Sequence, residues 1–98
     1  MINDADVRAM VIKQSRCKLI GVLKMFYPIE AGFLTLGNVL PTVERNHLIQ
    51  DLAYLMDKKY ATCVNERKSQ SWDAKEFKLT AAGVEVADRI IQDKAIVD

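Results

Sequence analysis

The sequence predicts an α+β fold, mainly helical, in which three helices, a two-stranded hairpin and a closing helix form a single domain over residues 1–98. Three observations lead to it. Leu48, Leu52 and Leu55 recur at helical spacing, flanked by Ile49 and Met56, while Arg45, Asn46, Gln50, Asp57 and Lys58 fall on the opposite face. After Tyr60 the period shortens to two residues, with Ala61-Thr62-Cys63-Val64 as one strand and Glu76-Phe77-Lys78-Leu79 as the next. Thr80 then opens a second run with helical periodicity. A chain of 98 residues is long enough to bury a core without help from metal or disulfide.

A long first helix is expected over residues 4–27, where Val7, Met10, Val11 and Gln14 start a stripe that Leu19, Ile20, Leu23, Phe26 and Tyr27 continue. Asn3 or Asp4 caps it, Asp4 and Asp6 suit its positive end, and Pro28 stops it. Gly21 inside it suggests close approach of another helix. Residues 29–41 hold one or two helical turns around Leu34, Leu36, Val39 and Leu40, ended by Pro41. The third helix is expected over 42–58 with Thr42 as its cap, and the hairpin over 61–79. Asn65 to Lys75 reads as a protruding, mobile loop containing Trp72. Thr80 caps a last helix over 80–95, whose stripe is Val84, Ala87, Ile90 and Ile91, broadened by Val86. Residues after Lys94 are expected to fray.

Composition narrows the function classes. Half the residues are hydrophobic, 28% are charged, and the formal net charge is +1. No apolar run reaches the length of a bilayer span, and the acidic, polar start is unlike a secretory signal, so a cytoplasmic protein is expected. Cys17 and Cys63 form no CxxC pair and read as buried free thiols; with His47 they supply too few ligands for zinc, so neither metal nor cofactor is expected. One histidine, no glycine-rich phosphate loop and no GxSxG leave no catalytic residue to name. Charge is uneven: Arg8, Lys13, Arg16, Lys18 and Lys24 outnumber Asp4 and Asp6 at the front, while Glu85, Asp88, Asp93 and Asp98 outnumber Arg89 and Lys94 at the end.

Two motifs carry a family resemblance. Leu52-Ala53-Tyr54-Leu55-Met56-Asp57-Lys58-Lys59-Tyr60 resembles the end of the recognition helix in PadR-, MarR- and ArsR-like winged-helix regulators. Phe77-Lys78-Leu79-Thr80-Ala81-Ala82-Gly83 resembles the Leu-Thr-x-x-Gly that closes their wing. The resemblance covers residues 42–91, about half of the chain. Lys59 departs from the pattern, since many relatives have glycine there; either it is left-handed, at a cost of about 1 kcal/mol relative to glycine, or the turn is a different one. The short chain and its Tyr-Pro and Leu-Pro punctuation also resemble small winged-helix proteins of Mu-like phages and prophages.

The resemblance implies a winged helix-turn-helix that binds double-stranded DNA and regulates transcription without catalysis. Arg45 would pair with guanine, Asn46 or Gln50 with adenine, and His47 with base or phosphate. Thr42 would meet phosphate at the helix N-terminus, and Arg67, Lys68, Ser69, Gln70 and Lys75 would lie along the backbone or minor groove. A homodimer through the N- and C-terminal helices, with Ile90, Ile91, Ala95, Ile96 and Val97 in its seam, would set two reading helices about one DNA turn apart. Against this stands the mixed charge of the third helix, where Glu44, Asp51 and Asp57 offset Arg45 and Lys58. A protein-docking module with little DNA affinity is the alternative.

Overall fold

The computed structural model describes residues 3–96. In chain order it contains α1 (Asp4–Phe26), β1 (Ala31–Gly32), α2 (Phe33–Val39), α3 (Arg45–Asp57), β2 (Ala61–Cys63), β3 (Glu76–Leu79) and α4 (Ala81–Ala87). The strands form one antiparallel sheet in the order β1-β3-β2, with Ala31 opposite Phe77 and Ala61 opposite Leu79. The fold is therefore small, α+β and mainly helical. Its third strand, β1, was not expected, because two residues carry no periodicity to read.

The apolar periodicities point where expected. Leu48, Leu52 and Leu55 of α3 meet Leu19, Ile20 and Leu23 of α1, and Phe77 and Leu79 alternate inward from β3. Phe33, Leu36, Val86 and Ile96, with Ala31, Leu40 and Ala61, add to the core. In α1 only the second half is buried; the stripe begun by Val7, Met10 and Val11 lies outside the core, each residue about half exposed. That projecting half-helix accounts for the elongated shape, 45 × 28 × 22 Å.

Asn3 caps α1 by accepting the Asp6 amide at 2.9 Å. Gly21 faces open space, and a Cβ built there meets nothing within 4 Å, so no second helix approaches it. Gly21→Ala should therefore raise stability by about 1 kcal/mol through helix propensity alone, measurable by urea denaturation; an unchanged or lowered midpoint would contradict it.

Two boundaries differ from expectation. Thr42 does not cap α3, because Val43 donates to the Leu40 carbonyl in a turn (3.1 Å) that delays the helix until Arg45. Glu44 stands at the N-cap position without a side-chain cap bond. Helix α4 ends at Ala87, not at residue 95. There Arg89 adopts φ 63°, its amide donates to Val86 O, and the Ile90 amide donates to Glu85 O at 2.7 Å. Val86, rather than Ile90, then forms the inward stripe, and Ile90 is 71% exposed.

The chain after α4 turns back onto the body. Ile96 is fully buried in the core, so it neither frays nor joins an external seam, and Ile91 packs against the core; Val97 lies outside the described residues.

α3 ends in the same left-handed cap as α4. Lys59 has φ 64°, its amide donates to Met56 O, and the Tyr60 amide donates to Leu55 O at 2.8 Å. This turn is tied to the next helix. Thr80 Oγ1 donates to the Lys59 carbonyl at 2.6 Å and accepts the Gly83 amide at 3.1 Å, while the Thr80 amide donates to the Tyr60 carbonyl. The two motifs quoted above are thus two sides of one joint.

Candidate nucleic-acid interface

Helix α3 turns Leu48, Asp51, Leu52 and Leu55 inward, which leaves Asn46, Gln50 and Asp57 on its outer side with Ile49 and Ala53 partly covered. The loop between β2 and β3 comes up beside the first turn of this helix. Arg45 Nη1 contacts Asp73 Oδ1 at 2.5 Å, and the guanidinium lies 5.0 Å from the Phe33 ring centre. Asp73 sits in a single 3-10 turn, Trp72–Ala74, that Ser71 caps. Trp72 anchors this turn: its ring centre is 5.7 Å from that of Phe33 and 5.8 Å from that of Phe77, and Lys75 Nζ stands 5.4 Å from it.

Asn65 fastens the loop at its base. Its amide nitrogen donates to Ala74 O (2.8 Å) and Glu76 Oε1 (3.2 Å), and its oxygen accepts the Glu76 amide (2.8 Å). Gln70 is folded inward, accepting from the Arg67 amide and donating to Ala74 O. The segment is a fastened structure rather than the loose loop expected.

The expected DNA-binding residues therefore separate into two groups. Arg45, Gln70 and Lys75 are engaged within the protein, Lys75 Nζ lying 3.6 Å from Glu66 Oε1. Thr42, Asn46, His47, Gln50, Arg67, Lys68 and Ser69 are exposed. Glu44, an acid, occupies the N-cap position at the helix start where Thr42 was expected to receive phosphate, and negative charge there opposes an anion. Glu44 was counted in the mixed charge of the third helix, whereas the pairing of Asp73 with Arg45 was missed. Glu44 was legible as an acid at a helix start; Asp73 was not, because its pairing spans 28 positions.

Behind the outer face of α3 lies a polar network that sequence reasoning also missed. Asp51 is only 5% exposed; its Oδ2 accepts the Ser15 hydroxyl at 2.5 Å, and its Oδ1 lies 3.8 Å from Arg16 Nε. Arg16 Nε is buried with no hydrogen-bond partner, and its guanidinium stacks 3.7 Å from the Tyr54 ring centre. Tyr54 and Tyr60 both donate to Asp93 Oδ2, at 3.2 and 3.0 Å, and the Ala95 amide donates to Asp93 Oδ1. The network thus runs from α1 through α3 to the C-terminal turn. Asp51 was legible in principle, because it falls between Leu48 and Leu55 on the inner stripe.

Burial pushes the Asp51 carboxyl above the usual carboxylate range, against the lowering effects of Ser15, Arg16 and His47. At Asp93 burial also pushes upward, but the bonds from Ala95, Tyr60 and Tyr54 and the charge of Lys58 together hold it below that range. Burial and Asp93 push the Tyr54 and Tyr60 hydroxyls upward. The two carboxylates therefore act on stability with opposite sign. The contribution of Asp51 is present at acid pH and is lost as pH rises through its raised pKa. That of Asp93 is present above the ordinary carboxylate range and is lost as pH falls through its lowered pKa. Asp51→Asn should remove the first dependence and Asp93→Asn the second, in urea midpoints measured across the acidic range. The same slope in wild type and both variants would contradict the assignment.

Next to Asp51, a crevice of about 50 Å³ between α1 and α3 is lined by Val11, Ile12, Ser15, Arg16, His47 and Gln50. It is too small for a metabolite. Among the described residues no group of three His, Cys, Asp or Glu is placed to hold a metal ion, and no helix is long and apolar enough to cross a membrane. Cys17 and Cys63 are free thiols, both partly rather than fully buried. Comparison with protein-family models, with curated proteins and with solved structures finds no match in any of the three.

Proposed function

We propose that the chain is a winged helix-turn-helix protein that binds double-stranded DNA as a non-catalytic transcriptional regulator, of the small type found in Mu-like phages and prophages. The observation that carries this reading is the Arg45–Asp73 contact, which joins the first turn of α3 and the β2–β3 loop into one continuous outer surface. The order helix, strand, helix, helix, hairpin, helix, with the first strand paired to the last, supports the fold part of the reading. In this reading α3 enters the major groove and the loop follows the backbone. Asn46 and Gln50 carry amides suited to adenine, and Arg67 and Lys68 carry charge for phosphate.

A second reading, a protein-docking module, draws on the same contact. Asp73 neutralises Arg45, Glu66 lies beside Lys75, and Glu44 and Asp57 add negative charge to the α3 surface. With few cations available for phosphate, the DNA reading predicts a shallow salt dependence. The logarithm of the binding constant should fall with the logarithm of salt concentration with a slope of about −2 to −4.

Titration of random and genomic duplexes at several salt concentrations tests this. Lys68→Ala should weaken all sequences alike and reduce the slope by about one. Asp73→Ala, which releases Arg45, should tighten binding roughly fivefold or more. Absence of binding at low salt by wild type and by Asp73→Ala leaves the docking reading.

A further inference from the structure

Among the described residues, the first half of α1 carries an apolar stripe that lies outside the core, with Val11 at its margin lining the crevice against His47 and Gln50. Val7, Met10 and Val11 are 47%, 52% and 50% exposed, and Gln14 is exposed beside them. At about 100° per residue these four fall within a single arc of roughly 100°. The charges flanking the arc are arranged in pairs. Asp6 and Lys13 lie along one edge, and Asp4 and Lys18 toward the other.

We propose that this stripe is the contact between two copies of the chain, with their α1 helices crossing antiparallel about a two-fold axis between Met10 and Val11. In that register Met10 faces Val11 of the second copy and Val7 faces its Gln14. Asp4 then falls within one residue of Lys18 of the second copy, and Asp6 within two of its Lys13. Each pair lies on the same flank, which is where an antiparallel two-fold pair of helices brings its edges together. A parallel two-fold pair would bring opposite flanks together, setting Asp4 near Asp6 of the second copy and Lys18 toward its Lys13, and like charges repel. Lys13 also has an interaction within its own protomer. The antiparallel arrangement further brings each acidic first turn toward a basic-edged recess of about 410 Å³ beside α1, lined in part by Ala9, Lys13, Arg16 and Lys94.

The complement is therefore a second copy: an acidic-ended apolar helix matches a basic-ended apolar helix, and this chain supplies both on one element. The apolar patch is small, so the dissociation constant falls in the micromolar range, roughly 1–100 μM. The seam at Ile96 expected from sequence is replaced, because Ile96 lies inside the core of its own protomer. The inference refines the two-copy requirement of operator binding and uses no nucleic-acid contact.

Sedimentation equilibrium without DNA tests it. Wild type is expected to dimerise. Asp4→Lys with Asp6→Lys, and separately Lys13→Asp with Lys18→Asp, should each weaken association roughly tenfold or more, whereas an equimolar mixture of the two variants should associate at least as tightly as wild type. Met10→Lys, outside the core, should be monomeric with an unchanged melting temperature at dilutions where wild type is also monomeric. A wild type monomeric up to roughly 1 mM, or dimers indifferent to these substitutions, overturns the proposal. Failure to bind DNA leaves it standing.

Discussion

Gly83→Ala is expected to cost about 3 kcal/mol or more, and to lower the melting temperature by roughly 10–20 °C. A Cβ at this position would overlap the Tyr60 carbonyl oxygen and stand 2.9 Å from its carbon and 3.0 Å from Leu79 Cδ2. The backbone at Tyr60 has little room to yield. Its amide is committed to Leu55 O, and its carbonyl accepts the Thr80 amide. Relief requires α4 to move from the α3–β2 turn, which breaks the Thr80 bonds to Lys59 and Gly83. Gly21→Ala is chemically the same change with the opposite expected sign, because Gly21 faces open space. Thermal melts of the two variants side by side separate close packing from helix propensity. A Gly83→Ala protein as stable as wild type would show that the joint does not hold α4 against Tyr60.

Ile96→Ala is the second large effect, about 3 kcal/mol, from lost burial and the cavity left behind. Ile96 has no exposed surface although it follows α4 by nine positions. Its amide donates to the Asp93 carbonyl at 2.9 Å, and the Asp93 carboxylate is in turn held by Tyr54 and Tyr60. The tail therefore closes the core from outside the regular elements. Ile90→Ala is the internal comparison, since that side chain is 71% exposed and its removal should change stability by no more than about 0.5 kcal/mol. Equal urea midpoints for the two variants would mean that the tail is not docked.

What the sequence made legible was periodicity and caps. The leucines of α3, the alternation of Phe77 and Leu79, and the Thr80 cap each follow from a local rule and sit where that rule places them. Three features escaped for separate reasons. The strand β1 is too short to show alternation and exists because Phe77 and Glu76 offer it an edge. The end of α4 is hidden because Ile90 and Ile91 continue a helical spacing while Arg89, with neither Gly nor Pro to signal it, takes the left-handed conformation. The inward position of Asp51 follows from the stripe of α3, but its pairing escaped, because its partners Ser15 and Arg16 lie on another helix, beyond the reach of a local pattern.

For the candidate interface, exposure on α3 was legible and availability was not. Asn46 and Gln50 face outward as spacing indicates. Arg45 faces outward too, yet its charge is already matched by a residue 28 positions away, a pairing that only the folded loop creates. Trp72, the one large apolar residue in that loop, is the reason the loop returns to the body.

Asn65 has a consequence for chain entropy. Its side chain serves as a substitute peptide group, giving bonds upward to residues 74 and 76 and receiving the Glu76 amide and the Cys63 thiol, so the β2–β3 ladder is closed before the loop begins. The tip around Lys68 and Ser69 lies beyond that clasp, with Ser69 at φ 62°. Lengthening a loop that is already closed at its base adds only the slowly growing logarithmic closure term, about 0.6 kcal/mol for each doubling. The reach of the basic tip and the integrity of the sheet are thus separable quantities, and residues can be gained or lost at the tip without reopening the hairpin.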